Sequence, residues 1–155
     1  MRLHGQTIQG IYVRDVVIPR DPGEPIALKV QAVMDFDDFD KLCPEPQPGK
    51  IIKPDGSNRL DLEDPKYKEA FSAWAEKRVF WIYCQSLSAT PELEWDVVDP
   101  KNPETWPLLD KEFSDAGFST YERALVYREI ARVNCMDEEH LEASRKAFLA
   151  GQVGR

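Results

Sequence analysis

The proline-rich segment between residues 44 and 63 limits the fold of this chain more than any other feature of its sequence. Prolines stand at positions 44, 46, 48 and 54, and glycines at positions 49 and 56. Proline has no backbone N–H and a fixed φ, so neither a helix nor a central strand is expected through such a density of prolines. We therefore predict a long extended loop, the Pro-rich arm, without regular secondary structure.

The residues before the arm predict a β-hairpin. β-branched and other apolar residues are concentrated in 11–18 and again in 26–34, and turn-forming prolines and glycine fill 19–25. An isolated two-stranded hairpin is marginally stable in water. We therefore expect this hairpin to pack on helices or on another chain.

Helix signals occur just before the arm and throughout the chain after it, with a short extended piece expected at 93–98. Aspartate, serine and proline at helix starts and glycine at helix ends are the main signals. The last helix is predicted to turn Leu141 and Phe148 inward. In chain order the helix signals are Asp35 before Phe36 and Phe39, Asp64-Pro65 with a helix to about Ser88, Asn102-Pro103 with Gly117 at its end, the capping box Ser119–Glu122 with a stop at Asn134, and Asp137-Glu138-Glu139.

These elements predict an α+β fold, with an N-terminal β-hairpin and the Pro-rich arm followed by a mainly α-helical bundle of about four helices. The chain has 155 residues, which is the size of one domain with a substantial core. Within one domain overall we distinguish a hairpin and short helix in 1–43, the arm in 44–63 and the helical bundle in 64–155.

Charge and composition narrow the classes of function. The formal net charge is −8, which disfavours nucleic acid as a partner because a phosphate backbone would be repelled. The longest apolar run, Val79 to Cys84, is far shorter than the ~20 residues of a membrane-spanning helix. The start of the chain lacks the layout of a signal peptide. Three widely spaced cysteines indicate neither a disulfide framework nor a zinc site, so a reducing cytoplasm is expected.

No local motif for catalysis, metal binding or a cofactor is present. His4 and His140 are the only histidines, and neither lies near a cysteine in a nucleophile motif. The acidic run Asp35–Asp40 departs from a calcium loop because Asp40 occupies the position that requires glycine. Glycine-rich phosphate loops are absent from the sequence. We therefore predict no catalytic residue, metal ligand or cofactor, and we keep a small hydrolase with a pair of acids as a remote alternative.

The most distinctive feature is a concentration of large aromatic residues within about thirty positions near the middle of the chain. Such residues form the core of a domain or serve as anchors in a protein interface. The apolar run around Trp81 covers the whole circumference of its helix, so either burial or a covering partner is required. The candidate partner-binding residues are Trp74, Phe80, Trp81, Tyr83, Trp95 and Trp106.

The order of several short motifs resembles that of small tailed-bacteriophage morphogenesis proteins. The likeness extends over most of the chain from about Leu42 onward, and the nearest functional group is tail-assembly chaperone-like. The motifs are Leu42-Cys43-Pro44-Glu45-Pro46, Leu93-Glu94-Trp95-Asp96, Val98-Asp99, Thr105-Trp106, Ala116-Gly117-Phe118-Ser119, Asn134, Asp137-Glu138 and Ala147-Phe148-Leu149.

The resemblance implies a non-enzymatic protein of the host cytoplasm that binds another phage morphogenesis protein, such as the tape-measure or tail tube protein. Self-association is a further expectation. The alternative is a structural virion component of head, neck or tail, which would use the hairpin and the arm for contacts between subunits. In that case the chain would be found in the virion.

Overall fold

The computed structural model describes residues 1–153, and within this range the chain has a mixed α+β fold. Its strands form three separate two-stranded antiparallel sheets, in which β1 pairs with β2, β3 with β4, and β5 with β6. The strands are β1 (Arg2–Leu3), β2 (Gln6–Thr7), β3 (Val13–Ile18), β4 (Ile26–Gln31), β5 (Gly49–Ile52) and β6 (Asn58–Asp61). The helices are α1 (Asp37–Leu42), α2 (Pro65–Leu87), α3 (Leu109–Asp115), α4 (Thr120–Val133) and α5 (Glu138–Val153), and a 3₁₀ turn (Trp106–Leu108) precedes α3.

The chain divides into two compact units, and neither is continuous in sequence. The first unit contains Met1–Met34, Gln85–Glu94 and the chain from Phe113 onward. The second unit contains Asp35–Cys84 and Trp95–Glu112. The predicted domain division at residues 43 and 63 stays a prediction.

In the first unit, the predicted N-terminal hairpin is confirmed. Strands β3 and β4 pair antiparallel from Val13 opposite Gln31 to Ile18 opposite Ile26, and the proline-rich turn 19–25 joins them. Alternate residues turn to one face, as the period of a strand requires. The buried side chains of that face are Val16, Ile18, Leu28 and Val30.

Helix α4 covers the buried face of this hairpin and contacts both strands. Val126, Ile130 and Val133 recur at helical spacing and are buried. Glu129 is buried on the same helix, where its carboxylate accepts hydrogen bonds from Arg14 on β3 and, at 2.6 Å, from Arg132. A buried carboxylate needs such cationic partners, because burial of an unpaired charge is costly.

The predicted signals at the junction of α3 and α4 are also confirmed. Gly117, with φ of +89°, ends α3 in the left-handed region that favours glycine. The N–H of Gly117 donates to the carbonyl of Ser114, and the N–H of Phe118 donates to that of Phe113, each at 3.0 Å. Ser119 and Glu122 then form the reciprocal capping box of α4, and Asn134 ends that helix.

In the second unit, α2 begins at Pro65 as predicted, and the Asp64 side chain accepts a hydrogen bond from the N–H of Lys66 at 3.1 Å. The short helix α1 is also present, but Asp35 is not its N-cap. Phe36 occupies the cap position. Asp35, one residue before the cap, accepts a hydrogen bond from the N–H of Asp37 at 3.2 Å through its side chain. The aspartate therefore forms a turn that leads into the helix.

The prediction that the arm has no regular secondary structure is wrong. Strands β5 and β6 form a hairpin within it, from Gly49 opposite Asp61 to Ile52 opposite Asn58. Three of the four prolines precede β5, and Pro54 lies in the connecting turn with Gly56 at φ of +82°. The stretch between Pro48 and Pro54 and the stretch after Pro54 are each long enough for a four-residue strand, and the turn residues join the two strands.

Two predictions for the region between α2 and α4 are corrected. Residues 93–98 form no strand, because the backbone N–H groups of Asp96, Val97 and Val98 donate to the carboxylate of Glu112 instead of to another strand. The predicted helix start at Asn102 is also wrong, because residues 103–105 form turns and α3 begins only at Leu109. Pro107 lies in the intervening 3₁₀ turn, where its missing N–H is tolerated.

Helix α5 in the first unit corrects the inward placement of its apolar residues. Leu141 is 42% exposed and Phe148 is 64% exposed, and every residue from 141 to 152 is exposed. The helix starts where predicted, but no other part of the described chain covers it. A bundle of about four helices stays a prediction. Among residues 1–153, no helix combines the length and the apolar character needed to cross a membrane.

Candidate binding surface

An aromatic cluster forms the core of the second unit, and Phe39 of α1 lies at its centre. The Phe39 ring is 5.6 Å from that of Trp81 and 6.1 Å from that of Trp106, measured between centroids. Phe39 and Trp106 are completely buried, and Trp81 is 3% exposed. Trp81 and Trp106 therefore serve as core residues, which is the first of the two roles considered for this set.

The two core indoles differ in their hydrogen bonding. The Nε1–H of Trp106 donates to the carbonyl of Asp99 at 3.0 Å, which fixes the ring against the segment before α3. The Nε1–H of Trp81 is buried and has no hydrogen-bond partner among the described residues. The Trp81 ring also contacts Phe36 at 5.4 Å. The Trp81 side chain is therefore held by packing without a hydrogen bond, and it lies about two turns further along α2 than Trp74.

Trp74 lies at the boundary between this core and solvent. It is half-buried, its ring is 5.9 Å from Phe39, and its Nε1–H donates to the carbonyl of Cys43 at 3.0 Å. The Arg78 guanidinium lies 5.6 Å from the Trp74 ring centroid and 4.1 Å from that of Phe36. Stacking of a cation on two aromatic faces orders this side of α2.

An open groove of about 250 Å³ adjoins Trp74. One wall is a single face of α2, because its residues recur at positions 70, 73, 74 and 77. The other wall is the end of α1 and the start of the Pro-rich arm. The lining residues are Ala70, Ala73, Trp74 and Lys77 from α2, with Leu42, Cys43 and Pro44 opposite.

The groove exposes both apolar and polar surface along its walls and carries a cation at one end. Lys77 forms an ion pair with the exposed Glu104 at 3.0 Å, and its ammonium is the charged group among the lining residues. Burial raises the pKa of the Cys43 thiol, so the thiol is protonated near neutral pH. An apolar side chain that enters the groove would meet Leu42, Pro44 and Trp74, with polar surface beside them.

The other candidate residues lie elsewhere in the second unit. Phe80 and Tyr83 are half-buried and meet edge to face, with ring centroids 6.3 Å apart. Burial raises the pKa of the Tyr83 hydroxyl. Trp95 is half-buried on the irregular segment before α3. Partner binding by these residues stays a prediction.

Sequence reasoning did not include Phe36, Phe39 and Arg78 among the residues of this surface. The sequence predicts Phe36 and Phe39 on a short helix, and their spacing of three residues is the signal that both face one neighbour. No comparable signal existed for Arg78. Its role depends on the approach of α1, which is distant in sequence.

The remaining thiols and carboxylates of the chain form no metal site among residues 1–153, and the buried thiol of Cys84 is held in its protonated form. Burial raises the pKa of the Cys84 thiol to about 12, and the carboxylate of Glu112 adds to this effect. Across residues 1–153, no three side chains of histidine, cysteine, aspartate or glutamate come together in an arrangement that could hold a metal ion. Comparison with protein-family models, curated proteins and solved structures gives no match to this chain.

Proposed function

We propose that this chain is a non-enzymatic bacteriophage assembly protein, tail-assembly chaperone-like, that binds an apolar segment of a tape-measure or tail tube protein. The observation that carries this proposal is the open groove beside Trp74, in which the apolar side chains of Leu42, Ala73 and Trp74 lie beside polar surface. Trp74 is held by its hydrogen bond to Cys43 and by its contact with Phe39, so it offers a fixed ring edge to a partner. Interfaces favour such rigid aromatic anchors.

The surface charge supports the same function. A net charge of −8 keeps a complex with an apolar segment soluble. The proposed protein acts in the host cytoplasm, and the proposal includes a bundle of about four helices in residues 64–155. Helical partners suit the groove because an amphipathic helix places apolar residues at i, i+3 and i+4 along one face.

The experiment is a comparison of two arginine substitutions on α2. Ala73 lines the groove and is exposed, so Ala73→Arg fills the groove with little strain on the helix. Ser72 is exposed on the same helix but does not line the groove, so Ser72→Arg is the matched control. The tape-measure and tail tube proteins encoded with this chain are each titrated against all three forms. We expect Ala73→Arg to weaken binding about tenfold or more and Ser72→Arg to leave it unchanged. Equal affinities for the three forms, or binding to neither protein, contradict the proposal.

The alternative function, a structural virion component of head, neck or tail, is favoured by the β5–β6 hairpin in the arm. Ile52 is 75% exposed and Leu60 is 54% exposed, so this hairpin offers apolar side chains to a neighbouring subunit. Quantitative mass spectrometry of purified particles and of infected-cell lysate distinguishes the two functions. A chaperone is abundant in the lysate and missing from particles, whereas a structural component has a fixed symmetric copy number in particles.

A further inference from the structure

The outer edge of β4 is closed by two side chains from distant parts of the first unit. The Thr90 hydroxyl accepts a hydrogen bond from the N–H of Lys29 at 2.9 Å and donates to the carbonyl of Lys29 at 2.8 Å. Just beyond the strand, the N–H of Val33 donates to the side-chain oxygen of Asn134 at 2.8 Å. Another strand cannot pair with this edge without displacing these two residues.

The outer edge of β3 is open. The backbone N–H and C=O of Lys29 both point away from β3. In an antiparallel pair, the backbone N–H and C=O of its cross-strand partner Asp15 must then point away from β4. The backbone N–H and C=O of Val13 and of Val17 also point away from β4, because the direction of these groups alternates from one residue to the next along a strand. No hydrogen bond from another described residue reaches the outward backbone groups of these three residues. The side chains of Val13 and Val17 are 40% and 58% exposed.

The charges of β3 do not prevent two copies from approaching each other, although the whole chain has a net charge of −8. Asp15 forms an ion pair with Lys29 at 2.8 Å. Arg14, the other charged residue of the strand, is paired with Glu129. The edge is therefore locally neutral.

We propose that two copies of this chain pair through β3 in antiparallel orientation about a two-fold axis, forming a four-stranded sheet with β4 on each outer side. In the proposed register, Val13 faces Asp15 of the second copy and Ile11 faces Val17 of the second copy. This register keeps the two Asp15 carboxylates from lying directly opposite each other, where like charges destabilise a sheet. It places the two Arg14 residues opposite each other at the two-fold axis, where each guanidinium remains paired with Glu129 of its own chain. The antiparallel edge is self-complementary in its hydrogen bonds, so an identical chain fits it.

Two structural features support a second copy as the occupant. A two-stranded sheet is less stable than a sheet of three or more strands, so pairing stabilises the hairpin. Helix α4 contacts both strands of its own hairpin, and strands are about 4.8 Å apart, so the two α4 helices would lie about 10 Å apart, as packed helices do. Because the β4 edge is closed, assembly stops at the dimer. Strand β3 supplies none of the groove residues, so the pairing is independent of the proposed function.

Two proline substitutions test the pairing. Val17 and Ala27 are cross-strand partners, and their N–H groups point away from the hairpin. Val17→Pro removes an outward N–H of β3 and keeps the hydrogen bonds between β3 and β4. Ala27→Pro makes the same change at the β4 edge and is the matched control. Sedimentation equilibrium of the full chain is measured from about 1 to about 100 µM.

We expect a monomer–dimer equilibrium for the unchanged chain and for Ala27→Pro, and at least about a tenfold weaker dimer for Val17→Pro. A chain that is monomeric throughout, or a Val17→Pro dimer of unchanged strength, overturns the proposal. Circular dichroism verifies that each variant is folded.

Two substitutions at an exposed side chain test the register and do not depend on the proline variants. Because Val13 faces Asp15 of the second copy, Val13→Lys creates two opposite-charge pairs per dimer and Val13→Asp creates two like-charge pairs. We expect the dimer to become about threefold or more tighter with lysine and weaker by a similar factor with aspartate. Changes of the same sign in both variants, or no change in either, overturn the proposed pairing.

Discussion

Trp81 and Trp106 look equivalent in the sequence, but they differ in the hydrogen bonding of the indole N–H. Trp81 and Trp106 are both buried against Phe39, so each contributes a large apolar surface to the same core. Only Trp106 has a hydrogen-bond acceptor, the carbonyl of Asp99. The free energy of unfolding therefore includes a hydrogen-bond contribution from Trp106 that Trp81 does not make.

We expect Trp106→Phe to lower the free energy of unfolding by about 1 kcal/mol more than Trp81→Phe. Both changes remove a similar volume, but Trp106→Phe also leaves the carbonyl of Asp99 without its indole donor. Chemical denaturation of the two variants measures the difference. Equal losses, or a larger loss for Trp81→Phe, would show that packing alone determines both values.

The three thiols differ in burial, and this predicts their reactivity. Cys135 is exposed, Cys43 is half-buried and Cys84 is 2% exposed with its pKa raised to about 12. At a pH of about 8, only about one Cys84 in ten thousand is a thiolate. We expect a thiol reagent to modify Cys135 first and Cys84 only after unfolding. The fast phase is assigned by its loss in Cys135→Ser, and rapid labelling of Cys84 in the folded chain would contradict the predicted burial.

At the scale of elements, Glu122 at the start of α4 takes part both in the cap of its own helix and in an ion pair with a residue that is distant in sequence. Glu122 closes the capping box with the N–H of Ser119 at 2.7 Å and also pairs with Arg20 in the turn between β3 and β4. The hydrogen bond from Arg20 is the main reason that the pKa of Glu122 is lowered, and the backbone hydrogen bond from Ser119 adds to it. One carboxylate therefore connects the helix to the hairpin that it covers.

Glu122 makes stability depend on pH in the acid range. Since its pKa in the folded chain lies below the ordinary value of 4.5, its contribution is complete above that value and is lost as the pH falls through the lowered pKa. We expect the urea midpoint of the unchanged chain to fall more steeply below about pH 4.5 than that of Glu122→Gln. The exposed Glu24 provides the control, and the slope for Glu24→Gln should match that of the unchanged chain. A Glu122→Gln profile parallel to the unchanged one would contradict the predicted role.

Helix α5 is an element without a partner in the described chain. Leu149 is 51% exposed, and Leu141 and Phe148 are exposed on the same helix. We expect a chain that ends at Ser144 to unfold within about 0.5 kcal/mol of the full chain, because the removed side chains bury little surface. Urea denaturation of the two chains provides the measurement. A loss of several kcal/mol would show that α5 is covered in solution.

At the scale of the whole molecule, the excess of acidic residues opposes association of any two copies. The net charge is −8, whereas the β3 edge is locally neutral. The long-range repulsion is screened by salt, and the hydrogen bonds of a β3–β3 pair depend little on salt. Electrostatics therefore affects how often copies meet more than how their strands pair.

We expect the β3–β3 dimer to become tighter when sodium chloride is raised from about 20 mM to about 300 mM. Sedimentation equilibrium at the two salt concentrations measures the change for the full chain, and Val17→Pro provides the reference whose dimer should remain at least about tenfold weaker. A weaker dimer at high salt would show that ion pairs between the copies provide the attraction.

The sequence by itself determined the features that depend on neighbours a few residues away. The capping box at Ser119, the glycine end of α3 and the start of α2 at Pro65 were all predicted correctly, because each rests on hydrogen bonds or fixed backbone angles within one helical turn. The β3–β4 hairpin was also predicted, since a short turn connects two strands of β-branched residues.

The tertiary structure alone decided which surfaces are buried, which edges are paired and which remain open. Thr90 closes β4 from 61 positions away, and Asn134 does so from 101 positions away. The exposure of α5 and the separation of core Trp81 from groove residue Trp74 depend in the same way on chain segments that no local pattern specifies. The physical reason is that burial and edge pairing are set by the sum of many long-range contacts, whereas caps and turns are set by a few bonds within the segment itself.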